Sequence, residues 1–204
     1  MPAAEVLALL DWKRRVFALY ADARTAREPE EAWRRWREAR DELFRTHPQS
    51  PLREERRASF EGLEYWPYDP AARVLAQLDD VDAPPEPIAT SGTEPLLIRP
   101  FGRARFELAG EPLALEVSWL EGYGGGAFLS FRDATSGDES YGGGRYLLDT
   151  VKGADLGQDD GRLVLDFNFS YNPSCAYDPG WVCPLAPPAN RLAVAVRVGE
   201  RYVA

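Results

Sequence analysis

Apolar residues recur at three- and four-residue spacing from residue 4 to residue 24, at Val6, Leu9, Leu10, Val16, Phe17 and Tyr20, with Arg14, Arg15 and Asp22 between them. That period predicts an amphipathic helix. A second helix is predicted after Glu28-Pro29, because proline suits a first helical turn and Glu30 and Glu31 complement the positive end of the helix dipole. Its apolar stripe is Trp33, Trp36, Leu43 and Phe44, interleaved with Arg34, Arg35, Arg37 and Arg40. His47-Pro48-Gln49-Ser50-Pro51-Leu52 stops this helix and leads through a short helical turn to Phe60.

Beyond Tyr65 the period changes to two, which predicts strands. They fall at 73–78, 88–91, 95–108 with a bend at Phe101-Gly102, 113–120, 126–132, 144–150, 162–170 and 191–198; the first also reads as a short helix after Asp69-Pro70. About eight short strands, separated by glycine-rich turns and without a βαβ rhythm, predict an α+β fold. Residues 1–60 form a helical segment packed on the same unit as residues 61–204, an antiparallel, mostly β barrel or sandwich.

The stretch 162–172 alternates most clearly. Leu163, Leu165, Phe167, Phe169 and Tyr171 point one way; Val164, Asp166, Asn168, Ser170 and Asn172 point the other. The polar row is either the solvated outside of a sheet or the lining of a cavity. Ser130 shares a face with Arg132, and Arg145 with Asp149, so cross-strand ion pairs are a structural reading of the same residues.

Charge narrows the function classes. Residues 1–60 carry 13 Lys/Arg against 11 Asp/Glu, about +2, and residues 61–204 carry 11 against 22, so −11, which together make the net −9. An acidic β-rich part argues against a nucleic-acid surface, which needs clustered cations. No apolar run is long enough to span a bilayer and no basic leader opens the chain, so a cytoplasmic protein without membrane contact is expected. Lys13 and Lys152 are the only lysines among 24 cations, a bias that reads as genomic or thermal adaptation. A metal site is not expected, because His47 is the only histidine. Cys175 and Cys183 read as buried reduced thiols, a disulfide, or a reactive nucleophile, in that order. Gly122-Tyr123-Gly124-Gly125-Gly126-Ala127 fits the letter of a dinucleotide fingerprint, but a strand follows where a helix is required. Tyr141-Gly142-Gly143-Gly144-Arg145 lacks the Gly-Lys-Ser/Thr ending of a phosphate loop. No cofactor is expected.

The densest chemistry lies between Phe128 and Arg191. Phe131-Arg132-Asp133-Ala134-Thr135-Ser136-Gly137, Tyr141-Gly142-Gly143-Gly144-Arg145-Tyr146, and Tyr171-Asn172-Pro173-Ser174-Cys175-Ala176-Tyr177 through Cys183-Pro184-Leu185 to Asn190-Arg191-Leu192 resemble the signature of the DUF1684 family of bacterial and archaeal proteins. His47-Pro48-Gln49-Ser50-Pro51 and Tyr68-Asp69-Pro70 resemble its N-terminal signposts, so the resemblance extends over nearly the whole chain. It implies no activity, cofactor or catalytic residue.

Three readings follow from the residues. The first is a module in which Arg132, Arg145 and Arg191 hold a small anion while Asn168, Asn172 and Tyr177 orient it. The second is a metal-independent enzyme with Asp166 or Asp149 as base, Tyr171 or Tyr177 as acid, or Cys175 as nucleophile. The third is a structural or partner-binding protein whose Trp33/Trp36 helix docks on another chain. Oligomeric state is open at this point.

Overall fold

A computed structural model describes residues 2–202. Helices α1 (Ala3–Thr25), α2 (Pro29–Thr46) and the single turn α3 (Glu54–Arg57) precede eight strands. These are β1 (Arg73–Asp80), β2 (Glu86–Ile88), β3 (Leu96–Leu108), β4 (Glu111–Leu120), β5 (Gly126–Phe131), β6 (Arg145–Asp149), β7 (Gln158–Asp159) and β8 (Arg162–Asp166). The strands form one sheet in the order β6-β5-β4-β3-β1-β8-β7, with β2 also on β3, and every pairing is antiparallel. The sheet curls into a half-barrel with the helices packed outside, the α+β architecture expected from the pattern.

Local sequence explains most of the ladder. In β3, Ile98, Ala104, Phe106 and Leu108 face the core while Arg99, Arg103, Arg105 and Glu107 face solvent. Its register shifts between Pro100 and Gly102, where the bend is predicted. Proline lacks an N–H for the ladder, and a side chain at Gly102 would collide with Leu78. Asp69 caps a 3-10 turn at Pro70–Ala72 and β1 starts directly after it, so the segment 73–78 is a strand and not a helix.

β5 and β6 are covered on both faces, and they separate two apolar clusters. On one side Leu129 and Phe131 join Leu115, Val117, Leu165 and Phe167; on the other Phe128 and Tyr146 meet Tyr20, Trp33, Trp36, Phe169 and Tyr171. The stripe of α2 is buried as predicted, and each large side chain it removes from water contributes about 2–3 kcal/mol. The stripe of α1 is narrower than predicted: Tyr20 alone is fully buried, Val6, Leu10 and Phe17 are exposed, and the inward seam runs Leu9, Trp12, Val16, Tyr20.

Two predicted strands are corrected. The ladder of β8 ends at Asp166, whose carboxylate accepts the Asn168 N–H at 3.0 Å and turns Phe167–Phe169 into a 3-10 helix. Residues 191–198 form no strand, although Leu192, Val196 and Val198 are core residues. The carbonyls of this tail have another donor. The Arg145 guanidinium, 1% exposed, reaches Val196 O at 2.8 Å, Val198 O at 2.5 Å and Glu200 O at 3.4 Å, and pairs with Asp133 Oδ2 at 2.5 Å. Asp133 is held in turn by the Thr135 N–H at 2.6 Å, and the guanidinium packs on Trp66 and Phe131. Beyond it the chain turns at Gly199, with φ of +77°, where an added Cβ would strike Ser170 and the Phe167 carbonyl.

Because Arg145 and Asp133 are desolvated together, removing one leaves a buried charge and several buried carbonyls unpaired. Arg145→Met is expected to lower unfolding free energy by about 3–5 kcal/mol, with partial recovery in the Arg145→Met/Asp133→Leu double variant. Arg197→Ala, which breaks the exposed pair with Glu139, is expected to cost no more than about 1 kcal/mol. Denaturant unfolding of the three variants checks this ranking.

Candidate functional site

The residues expected to form one site do not all converge. Arg145 belongs to the buried tail clamp. Arg132 exchanges backbone hydrogen bonds with Asn190 and Leu192, and its half-buried side chain has an unpartnered Nε; Arg191 is exposed. Asp149 is buried at the turn 150–153 and accepts the Lys152 N–H at 3.3 Å. Asn168 is fully buried, yet it exchanges bonds of 2.9 and 2.8 Å with the Asp69 backbone and serves as a strut. The polar row Asp166, Asn168, Ser170 and Asn172 is therefore neither a wet sheet face nor a single cavity lining. It is mainly internal wiring.

Asp166 illustrates why. Its Oδ1 accepts both the N–H and the Nδ2 of Asn168, at 3.0 and 2.8 Å, while Oδ2 lies 3.5 Å from the Tyr68 hydroxyl and 3.9 Å from Arg73. Burial pushes its carboxyl up from 3.8 to about 6, against the hydrogen bonds from Asn168 and the charge of Arg73. A carboxyl whose value rises on folding favours the protonated native state, so its stabilisation is full below about pH 3.8 and is lost as pH climbs to about 6. Asp166→Asn keeps the Oδ1 acceptor and removes the titration. Between about pH 4 and pH 7 the variant is expected to gain roughly 2 kcal/mol on the parent, read as the change in their difference in urea unfolding free energy.

Asn172, Tyr171 and Tyr177 do come together, at a place the pattern did not indicate. They line a cavity of about 150 Å³ between the inward seam of α1 and the loop after β8. Leu9, Trp12 and Val16 of α1 and Phe44 of α2 supply apolar wall, Trp181 stands on the loop side, and Arg40 and Tyr20 lie among its lining residues. Lys13 and Lys152 also line it, and they are the only lysines in the chain. A ring-sized group fits this volume.

The polar groups around the cavity fall into two kinds. Arg40 pairs with Glu200 Oε2 at 2.8 Å, accepts no further anion there without competition, and lies over the rings of Trp36, Phe44 and Tyr171. Glu200 also accepts the Asn172 N–H at 3.1 Å and the Tyr177 hydroxyl. Burial pushes its carboxyl up to about 7 in spite of Arg40. The Tyr20 hydroxyl and the Asn172 Oδ1, by contrast, are buried without any hydrogen-bond partner. The Asn172 amide is oriented by its Nδ2, which donates to Arg201 O at 2.8 Å, so the free atom is the acceptor. Burial raises the Tyr20 hydroxyl well above its ordinary value, leaving it a neutral donor. Both residues line the cavity, but these two atoms are out of reach of water and lie behind its wall.

Arg40, Tyr20, Glu200 and the lysines were not singled out from sequence. Arg40 reads there as one more solvent-facing cation on α2, and the rarity of lysine, the one available signal, reads as composition. Among the described residues no three His, Cys, Asp or Glu side chains converge to hold a metal ion, and no helix is long and apolar enough to cross a membrane.

A family model described as "Protein of unknown function (DUF1684)" matches residues 58–201. The His47–Pro51 signpost falls outside the match, as do α1 and α2, whereas Lys152, Tyr171, Asn172, Tyr177 and Trp181 fall inside it. Among solved structures, the solution NMR structure of an uncharacterised protein from Haloarcula marismortui is 35% identical, with a TM-score of 0.59, over 84% of this chain and 93% of that one. No curated protein matches. The span of the family match, with this structural relative beside it, shows that the chain belongs to the DUF1684 family.

Proposed function

We propose that the chain is a cytoplasmic binding protein for a small amphipathic anion, with its site in the cavity beneath α1. The observation that carries this is the placement of the chain's two lysines, Lys13 and Lys152, at a cavity lined otherwise by Trp12, Val16, Phe44 and Trp181. Tyr20 Oη and Asn172 Oδ1, on two of the lining residues, are buried without a partner; buried polar atoms are nearly always satisfied, so a small turn of either side chain toward the cavity gives a guest hydroxyl a donor and an acceptor. Lys13 adds attraction for a carboxylate, and Lys152, 3.5 Å from Asp149 Oδ2, shares its charge between that partner and the cavity. The ligand class that fits is a ring-sized hydroxy acid: apolar body between the aromatic walls, hydroxyl on Tyr20 and Asn172, carboxylate toward Lys13 and Lys152. The anionic preference expected from Arg132, Arg145 and Arg191 is kept in this reading, but its cations are different ones. The free thiols of Cys175 and Cys183 suit a reducing compartment.

Thermal unfolding with a panel of hydroxybenzoates and short hydroxy acids tests the reading. At about a hundredfold excess over Kd, a binder is expected to raise Tm by about 5–10 °C. Val16→Trp, which fills the cavity, abolishes the shift; Lys13→Gln with Lys152→Gln weakens binding by about tenfold and flattens its salt dependence. A shift unchanged by Val16→Trp, or a panel in which no member shifts the transition, overturns the proposal.

A further inference from the structure

A second cavity, of about 190 Å³, backs onto the one beneath α1. Arg40 lines the first and Glu200 the second, while Asn172 and Tyr177 line both. The ion pair is therefore part of the partition between them. Leu52, Phe60 and Leu63 give the second cavity an apolar side, and Arg56 and Glu64, both exposed, open it to solvent.

The pair is nearly dry: the Arg40 side chain is 12% exposed and that of Glu200 1%. Arg40 Nη2 donates to Glu200 Oε2 at 2.8 Å and Nε to the Tyr65 hydroxyl at 3.0 Å, and Nη1 has no hydrogen-bond partner among the described residues. Glu200 Oε2 also accepts the Asn172 N–H at 3.1 Å, and Oε1 accepts the Tyr177 hydroxyl. The other charged or titratable groups around this carboxylate are Asp41 of α2, Tyr20 of α1, Tyr65, and Arg145 of β6, whose Nη1 is 3.4 Å from the Glu200 carbonyl. Burial raises both tyrosine hydroxyls and keeps them neutral, and Arg145 is committed to Asp133. Among the described residues, Arg40 alone forms a salt bridge with Glu200.

A carboxylate guest in the first cavity draws on the same guanidinium. Glu200 then keeps only part of its counter-charge, and an ionised carboxylate in a dry site is disfavoured without it. A proton on Glu200 removes the conflict: one anion and one proton enter together, and the net charge of pair and guest stays at zero. We propose that the Arg40–Glu200 pair couples the two cavities, so that an anion bound in the first is accompanied by one proton taken up on Glu200 from the side of the second. Tyr177, half-buried and hydrogen-bonded to Oε1, is the relay: it passes its hydroxyl proton to Glu200 and regains one from solvent. Resting on the reading of the first cavity as an anion site, this coupling makes affinity there depend on pH. Burial already holds the Glu200 carboxyl at about 7. Affinity is therefore full below that value and falls above it, by up to about tenfold per pH unit.

Isothermal titration calorimetry of the full-length protein with 4-hydroxybenzoate, in buffers of high and low ionisation enthalpy, measures the protons taken up per guest. The uptake is expected to approach about one at about pH 8 and to be near zero at about pH 5.5, and Kd to weaken about tenfold between about pH 7 and pH 8.5. Glu200→Gln, which mimics the protonated carboxyl, is expected to bind without proton uptake and with a Kd that is flat over the same range. Binding without uptake at pH 8, or an uptake that survives Glu200→Gln, overturns the proposal and leaves the cavity reading in place. Absence of binding by 4-hydroxybenzoate and by the rest of the hydroxybenzoate panel removes the cavity reading, and the proposal with it. Circular dichroism shows whether the variant is folded, and the wild-type proton uptake decides the matter without it.

Discussion

The structure depends on a single buried guanidinium. Arg145 projects from the middle of the core with all of its surroundings protein, and a charge in that position survives only if its donors are matched. Asp133 neutralises it, and the carbonyls of Val196, Val198 and Glu200 take up the other donors of its two terminal nitrogens. The consequence is that the C-terminal tail is shaped by a side chain and not by a ladder. From there the chain is carried past Gly199, where Trp66 N–H bonds to Gly199 O and Glu200 N–H to Ser170 O. Glu200 is thereby brought to Arg40 on α2, and the pair closes over the tyrosines at the cavity. Clamp, tail, ion pair and cavity are one connected arrangement.

The helices and most of the sheet were legible because their residues obey a period. The α2 stripe, the β3 alternation and its bend, and the Ala109-Gly110 hairpin, whose two turn residues both have positive φ, are local features with local causes. The β7–β8 hairpin carried the same signal in Asp160-Gly161, again with positive φ at both positions, and its short strand of two residues hid it. Where the reading failed, a side chain had taken over the backbone. Asp166 captures the Asn168 N–H and ends an alternation that looks unbroken on paper, and Arg145 captures the carbonyls of a tail whose Leu192, Val196 and Val198 have the composition of a strand. Periodicity cannot report a competition decided by one side chain, whether it stands two positions away, as Asp166 does, or some fifty, as Arg145 does.

The candidate site was legible in part for the same reason. Tyr171, Asn172 and Tyr177 were read as site residues, and the structure brings them to one cavity; Arg132, Arg145 and Arg191 were read as binding groups, and the structure distributes them over a loop, a core clamp and the surface. A site assembled from one helix seam, one helix cation and one loop has no linear signature. Its only compositional trace is the placement of two scarce lysines.

Amide hydrogen exchange of Arg145→Lys tests the connection between clamp and cavity most directly, because lysine keeps the charge and loses the planar fork. If the clamp positions the tail, protection is lost together at the amides of Trp66, Asn172, Glu200 and Arg201, while the β3–β4 ladder keeps its own. Unchanged protection at those four amides in a folded variant would show that the tail holds itself in place, and would contradict the account.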